Sequence, residues 1–232
     1  MNIKLFADGA DKEVMLEMYK NPMISGLTTN PSLMKKAGIT DYVAFSKEIL
    51  ELIPDMPISL EVFSDDIKEM KRQALEIASW GKNVYVKIPI TNTKGESTYD
   101  VIMYSAHMDI KVNVTAIFTI EQILEILPAI TKCPAAYVSI FAGRIADTGV
   151  NPKPLMKLAK EVLKAYPHIE LLWASSRELY NVIEAESVGC DIITITKDIF
   201  NKLHMIGKDL NELSLDTVKT FYNDAQTSGF TI

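Results

Sequence analysis

Arginine is scarce in this chain. Three arginines stand among 232 residues, against 21 lysines. Cysteine is scarcer: Cys133 and Cys190 lie beside strand candidates with no CxxC or Cys/His spacing. That excludes a disulfide framework and any zinc site of ordinary spacing, and both read as small buried thiols. Glycine and proline number 10 each, too few for collagen-like or low-complexity chains, and no segment repeats. No apolar run approaches the ~18–20 residues that span a bilayer. The opening MNIKLFADGADKE interleaves charges with apolar positions, so no secretory core is expected and the expected setting is the cytoplasm. Positive charge is not in excess either. A net charge of -6 leaves no broad attraction for nucleic acid or an anionic membrane, and neither is expected as a partner. An anionic ligand must be held by a few local cations.

What is present is rhythm. With 48% hydrophobic and 23% charged residues, the composition is that of a globular protein. Short β-branched runs alternate with amphipathic runs of ten or more residues. The strand candidates are Ile3–Asp8, Ser25–Thr29, Ile58–Phe63, Val84–Ile88, Lys111–Phe118, Ala136–Phe141, Ile169–Ser175 and Asp191–Thr196. Helical patterns fall between them, as in Asp41–Ile53, Asp65–Trp80, Ile120–Ile130, Pro154–Tyr166 and Arg177–Val188. Asp65 and Asp66 suit a helix start and Gly81 suits its stop. Strands begin about every 27 residues, one βα unit each, and eight units use nearly the whole chain. The pattern predicts an α/β fold, a single (β/α)8 TIM barrel over 1–232 with 207–232 as a C-terminal helical extension. No GxGxxG or Walker-type loop follows any strand. Leu215, Val218, Phe221, Tyr222 and Ala225 share helical spacing. That helix either packs on its own barrel or covers a neighbouring subunit.

Polar residues inside the strands carry the chemistry. Side chains alternate faces along a strand. In Val84-Tyr85-Val86-Lys87-Ile88-Pro89, Lys87 shares a face with Tyr85 and Pro89, while Val84, Val86 and Ile88 take the other. Ser59, Glu61 and Phe63 oppose Ile58, Leu60 and Val62, and Asn113 and Thr115 oppose Val112, Val114 and Ala116. Ser139 and Phe141 oppose Val138 and Ile140; strand 1 offers Phe6 and Asp8, and strand 7 offers Trp173 and Ser175. In a barrel, the face not packed on helices points inward. Parity therefore gathers Asp8, Glu61, Lys87, Asn113, Thr115, Ser139 and Ser175 in one interior, toward the C-terminal mouth where barrel active sites form. Tyr85 and Trp173 are expected to fill the interior beside them. A lysine flanked by apolar strand residues is a candidate for a depressed pKa and a nucleophilic amine. The competing reading is a structural Lys–carboxylate pair in the core.

Arg72 falls inside a helix candidate, but Arg144 and Arg177 follow strands 6 and 7. Two planar donor forks at adjacent strand ends, with Ser175 beside one, form a candidate phosphate clamp, with surface ion pairs as the alternative. A barrel amine, a carboxylate and a phosphate clamp together suit Schiff-base chemistry on a sugar phosphate. His107, His168 and His204 lie away from the strand ends and read as surface or structural, the Lys35-Lys36 pair as a solvated turn, and most methionines as core.

These residues sit in runs that resemble the transaldolase family: Phe6-Ala7-Asp8, Gly26-Leu27-Thr28-Thr29-Asn30-Pro31-Ser32-Leu33, Ser59-Leu60-Glu61-Val62 and Val86-Lys87-Ile88-Pro89. They continue with Asn113-Val114-Thr115, Ser139-Ile140-Phe141-Ala142-Gly143-Arg144-Ile145-Ala146-Asp147 and Ala174-Ser175-Ser176-Arg177, one per strand and in family order. The length is similar to that of the small-subunit branch, which includes fructose 6-phosphate aldolases. The resemblance implies that Lys87 forms a Schiff base and that Asp8 is the acid/base. It implies that Glu61 and Thr115 hold a proton-shuttling water. Asn30, Asn113 and Ser139 would bind the dihydroxyacetone unit, and Arg144, Ser175 and Arg177 the phosphate, with Thr28 and Phe141 also among the substrate-binding residues. It implies sugar-phosphate partners, a homo-oligomer (pentamer or decamer), a place in the pentose phosphate pathway, and no metal or organic cofactor. Glu61 and Phe141 stand where the aldolase subgroup usually has Gln and Tyr. The expected activity is therefore transfer of a dihydroxyacetone unit. The alternatives are a fructose 6-phosphate aldolase-like lyase and a non-catalytic sugar-phosphate-binding barrel. Gly9, Ser176 and Leu27 depart from the family's usual residues.

Overall fold

The computed structural model describes residues 2–231. The chain forms two compact units, Met1–Phe200 and Asn201–Ile232. The first holds strands β1 Lys4–Asp8, β2 Ile24–Thr28, β3 Ile58–Glu61 and β4 Val84–Pro89. It continues with β5 Val112–Ile117, β6 Ala136–Ile140, β7 Ile169–Trp173 and β8 Ile192–Ile195. They pair in chain order, all parallel, and close β8 onto β1. All eight expected strands are present, most of them a residue or two shorter. The (β/α)8 barrel expected from the rhythm is the observed fold.

The helices follow the strands. They are α1 Lys12–Tyr19, α2 Pro31–Lys36, α3 Tyr42–Leu52, α4 Ile67–Ala78 and α5 Tyr99–His107. Next come α6 Ile120–Ile130, α7 Ala142–Asp147, α8 Lys153–Leu163, α9 Tyr180–Ser187 and the short α10 Lys197–Phe200. Five of them start on a side-chain cap. Asp11, Asn30, Asp41 and Asp66 each accept a backbone N–H from the first turn, and Thr119 and Gln122 form a reciprocal capping box. Each such cap contributes about 1 kcal/mol and sets where its helix begins. Gly81 does not stop α4. The helix ends at Ala78, and Ser79 closes it by donating its hydroxyl to the Glu76 carbonyl. A Cβ on Gly81 would instead lie 2.9 Å from Asn83 Oδ1, so the glycine serves the approach to β4. In the second unit, α11 Leu210–Ser228 starts at Asp209 and ends at Gly229, whose φ of 67° is the left-handed conformation that terminates helices.

Two layers of core follow from strand parity. Outward-facing Val84, Val86 and Ile88 are buried under helices, as are Val112, Val114 and Val138. Inside the barrel, Phe6, Tyr137, Leu172, Ala174 and Ile192 form an apolar plug, with Tyr85 and Phe141 packed against it. Tyr85 stacks on Tyr137 at 4.0 Å, and Phe6 meets Tyr137 edge-on at 5.5 Å. Trp173 corrects the expectation for β7. Leu172 and Ala174 take the interior face, so alternation sends Trp173 to the outer side, where it is 1% exposed. Cys133 and Cys190 are buried, and burial pushes both thiols up to about 12.

Gly26 in β2 shows how tightly the plug fits. A Cβ there would lie 2.5 Å from the Phe6 ring, and Phe6 is 1% exposed with nowhere to move. Gly26→Ala is expected to cost about 1–3 kcal/mol by overpacking. Urea unfolding measures it; an unchanged midpoint would show that Phe6 yields freely.

Candidate active site

Above the apolar plug the barrel opens into a cavity of about 340 Å³ at the C-terminal ends of the strands. Strand register builds its wall. Glu61 pairs with Lys87 across β3 and β4, Lys87 with Asn113 across β4 and β5, and Asp8 with Thr28 across β1 and β2. Inward-facing residues at one height therefore converge. Of the residues expected in the site, Asp8, Thr28, Asn30, Glu61, Lys87, Asn113, Thr115, Ser139, Phe141, Arg144 and Ser175 line the cavity. Arg177 does not.

Lys87 is 7% exposed. Its Nζ lies 3.1 Å from Glu61 Oε2 and donates a hydrogen bond to the Thr29 carbonyl at 3.1 Å. Both readings of this lysine thus meet: it is paired with a carboxylate, and the pair faces a cavity. The pairing is what permits a cation to stand here, since an unpartnered buried charge costs several kcal/mol. Asp8 is the second carboxylate. Burial pushes its carboxyl above the usual range, and the Lys87 charge and a hydrogen bond from Thr28 Oγ1 at 2.8 Å partly offset that rise. The two carboxylates differ in environment, one ion-paired and one desolvated, which is how a site separates acid from base roles.

A neutral chain runs beside them. Ser139 Oγ donates to Asn113 Oδ1 at 2.6 Å, and Asn113 Nδ2 donates to Ser59 Oγ at 2.9 Å. Ser59 was not expected as a site residue, yet it fixes the orientation of the Asn113 amide. Thr115 belongs to the cavity wall, and its Oγ1 is buried without a protein hydrogen-bond partner. Asn30 spends Oδ1 on the Leu33 N–H as the cap of α2, a cost that parity reasoning did not register.

Two wall residues break alternation. Parity puts Ala116 on the outer face; the structure puts it on the cavity wall. The β5–β6 register slips between Val114 and Ile117, and Ala116 takes a φ of 59°. Thr115 and Ala116 therefore both face the cavity. Ser175 follows inward-facing Ala174 and still reaches the cavity, through a φ of 65°. Left-handed backbone at non-glycine residues is strained and concentrates at functional sites. Thr194 also lines the cavity and was missed, although it lies two residues beyond inward-facing Ile192 in β8.

Of the two strand-end arginines only one reaches the cavity. Arg144 lines the wall, its guanidinium 4.8 Å from the centre of the Phe141 ring. Gly143 sits so close to β7 that a Cβ would fall 1.7 Å from the Ser175 carbonyl oxygen. The glycine before Arg144 thus presses α7 against the Ser175 loop. Arg177 follows that loop, but Asp147 holds it: Arg177 Nε donates to both Asp147 oxygens at 3.1 Å, and Nη2 pairs with Oδ2. Among the described residues no cluster of three or more His, Cys, Asp or Glu could hold a metal ion, and no helix is long and apolar enough to cross a membrane.

Comparison with known proteins bears on this arrangement. The family model described as Transaldolase/Fructose-6-phosphate aldolase matches residues 5–232. The chain belongs to that family. Among its relatives in the family is a protein named "Probable transaldolase" from Methanococcus maripaludis strain C7, 37% identical over 202 residues, covering 87% of this chain and 89% of that one. Another of the same name, from Streptococcus equi subsp. zooepidemicus strain MGCS10565, is 34% identical over 223 residues and covers 96% of this chain and 97% of its own. An aldolase-type function follows from membership. Solved structures share the fold at low identity. KGPDC from Streptococcus mutans aligns with a TM-score of 0.56 at 10% identity, over 85% of this chain and 89% of that one. N-acetylneuraminate lyase from Mycoplasma synoviae aligns at 0.54 and 11%, over 96% and 80%.

Asp8 links the site to stability. The folded state keeps its proton above the ordinary carboxylate value of 3.8, so folding takes up a proton as pH rises through that value. The contribution of Asp8 to wild-type stability therefore declines from about its ordinary value up to the raised folded-state pKa, and Asp8→Asn escapes that decline. The stability of Asp8→Asn relative to wild type is expected to grow with pH across that window and then level off. Urea unfolding over a pH series checks it, and a difference that shrinks with rising pH contradicts the assignment.

Proposed function

We propose that this chain is a transaldolase, moving a dihydroxyacetone unit between sugar phosphates through a Schiff base at Lys87. The observation that carries the reading is a buried lysine amine that shares one cavity with Glu61, Asp8 and Thr115. The attacking form is the neutral amine, and Glu61, 3.1 Å from Nζ, is placed to take its proton. The nitrogen lone pair adds to the C2 carbonyl of a ketose phosphate. The carbonyl oxygen then gains two protons and leaves as water, and the nitrogen is left in an iminium. Glu61, with a water held by Thr115, relays those protons: the one taken from the ammonium and the one the nitrogen sheds as the iminium forms. The iminium accepts the electron pair of the C3–C4 bond as Asp8 takes the C4 hydroxyl proton and the aldehyde departs. Burial raises the proton affinity of Asp8, in the direction this step requires. The enamine that remains adds to the carbonyl of an incoming aldose, and the steps run in reverse.

Substrate placement follows the cavity's two ends. Thr28, Asn30, Asn113 and Ser139 face the dihydroxyacetone unit, with the amide of Asn113 already oriented by Ser59. Arg144 and Ser175 receive the phosphate, joined by Arg177. Phe141 favours transfer over simple cleavage. It stands on the cavity wall without a hydroxyl to order water or protonate the enamine, so the three-carbon intermediate waits for an acceptor.

Borohydride reduction during incubation with fructose 6-phosphate is expected to leave an adduct on the peptide containing Lys87. Lys87→Ala is expected to lose the adduct and roughly three orders of magnitude or more of turnover. Saturating donor without any adduct would favour a binding barrel that does no chemistry. Free dihydroxyacetone is expected only in small amounts unless an acceptor aldose is present, and Phe141→Tyr is expected to raise acceptor-free cleavage. Rapid release by the wild type without acceptor would make the enzyme a lyase.

A further inference from the structure

The two arginines at the phosphate end are held in opposite ways. Arg144 is braced on the Phe141 ring and lines the cavity. Arg177 is turned aside into a forked ion pair with Asp147 and does not line it. The backbone of Arg177 and the base of its side chain are held in place. Its N–H is anchored on Asn181 Oδ1 at 2.8 Å, and its stem passes Gly143, where a Cβ would come within 3.4 Å of Arg177 Cγ. A change of partner therefore falls to the side chain beyond Cγ. The residue that holds it is a carboxylate three positions after Arg144 on α7, close enough that the Arg144 charge also acts on it.

A guanidinium fork accepts a carboxylate or a phosphate with the same geometry, so the two anions are alternatives for Arg177. Both side chains of the existing pair are about half exposed, at 48% and 51%. An ion pair so open to water is weak, and a dianionic phosphate with three terminal oxygens can displace it. The charge at this end also changes: with Asp147 present the three side chains sum to one positive charge, and without it to two.

We propose that Asp147 is a specificity-determining residue that competes with the substrate's phosphate for Arg177, releasing that arginine only to a phosphate able to displace its carboxylate. This rests on the reading that the Arg144 end of the cavity takes a phosphate. The carboxylate lowers phosphate affinity, and so keeps phosphorylated product and free inorganic phosphate from lingering in the site. It leaves unphosphorylated carbonyl compounds unaffected, since they do not call on Arg177.

The test is a calorimetric titration of inorganic phosphate into the full chain, as wild type, Asp147→Asn, Arg177→Ala and the double variant. Asp147→Asn, which keeps the shape of the side chain, is expected to tighten phosphate binding about three- to tenfold, with a smaller gain at higher salt. The gain is expected to vanish in the Arg177→Ala background. In assays, KM for a phosphorylated ketose is expected to fall by a similar factor, while KM for an unphosphorylated acceptor aldehyde stays unchanged. Unchanged or weaker phosphate binding by Asp147→Asn, including no binding by either protein, overturns the proposal, as does a gain that persists without Arg177. Borohydride trapping keeps the two readings apart. An adduct without a phosphate gain sinks only the role of Asp147, and a phosphate gain without an adduct sinks only the Schiff-base reading.

Discussion

The contact between Lys87 and Glu61 is the constraint on which the rest of this barrel turns. A lysine 7% exposed needs an anion beside it to carry its charge there, and a carboxylate 3.1 Å away supplies it. The same contact is what a nucleophilic amine needs, a base within reach of its proton. Structure and chemistry make one demand here. Register enforces it, because Glu61 and Lys87 are paired neighbours in adjacent parallel strands and cannot drift apart without breaking the β3–β4 ladder.

Around that pair the barrel divides by polarity. The lower interior is an apolar plug of stacked aromatics, tight enough that β2 needs glycine opposite Phe6. The upper interior is polar and nearly every group there is committed: Asn113 to Ser59 and Ser139, Asp8 to Thr28, Asn30 to its helix cap. Thr115 on the wall keeps a buried hydroxyl that no protein group uses. Groups held in this way lose little freedom when a ligand arrives, which is the advantage of preorganisation. The rim is looser, and there Arg177 and Asp147 pair in the open.

Most of this was legible in the chain. Alternation in β3, β4, β5 and β6 places Glu61, Lys87, Asn113 and Ser139 in the interior without any knowledge of the tertiary structure. The scarcity of arginine singled out Arg144 and Arg177. What misled was the assumption that alternation runs to the end of each strand. It fails at Ala116 and Ser175, where the backbone turns left-handed, and in β7 the inward face belongs to Leu172 and Ala174 rather than to Trp173. Neither residue type announces a positive φ, so no local signal was there to read.

The sequence by itself determined the periodicities: eight strands, their helices, and the polar residues on one side of each strand. Those are properties of neighbours along the chain, set by the pleat and by helix caps. Only the tertiary structure decided that Lys87 rests against Glu61 and that Arg177 is taken by Asp147. It also decided that two left-handed residues, Ala116 in β5 and Ser175 just after β7, stand on the cavity wall. Those outcomes depend on which groups from distant segments reach the same few ångströms of space, and on their competition for charge and hydrogen bonds there. A linear pattern does not encode that competition until the barrel has closed.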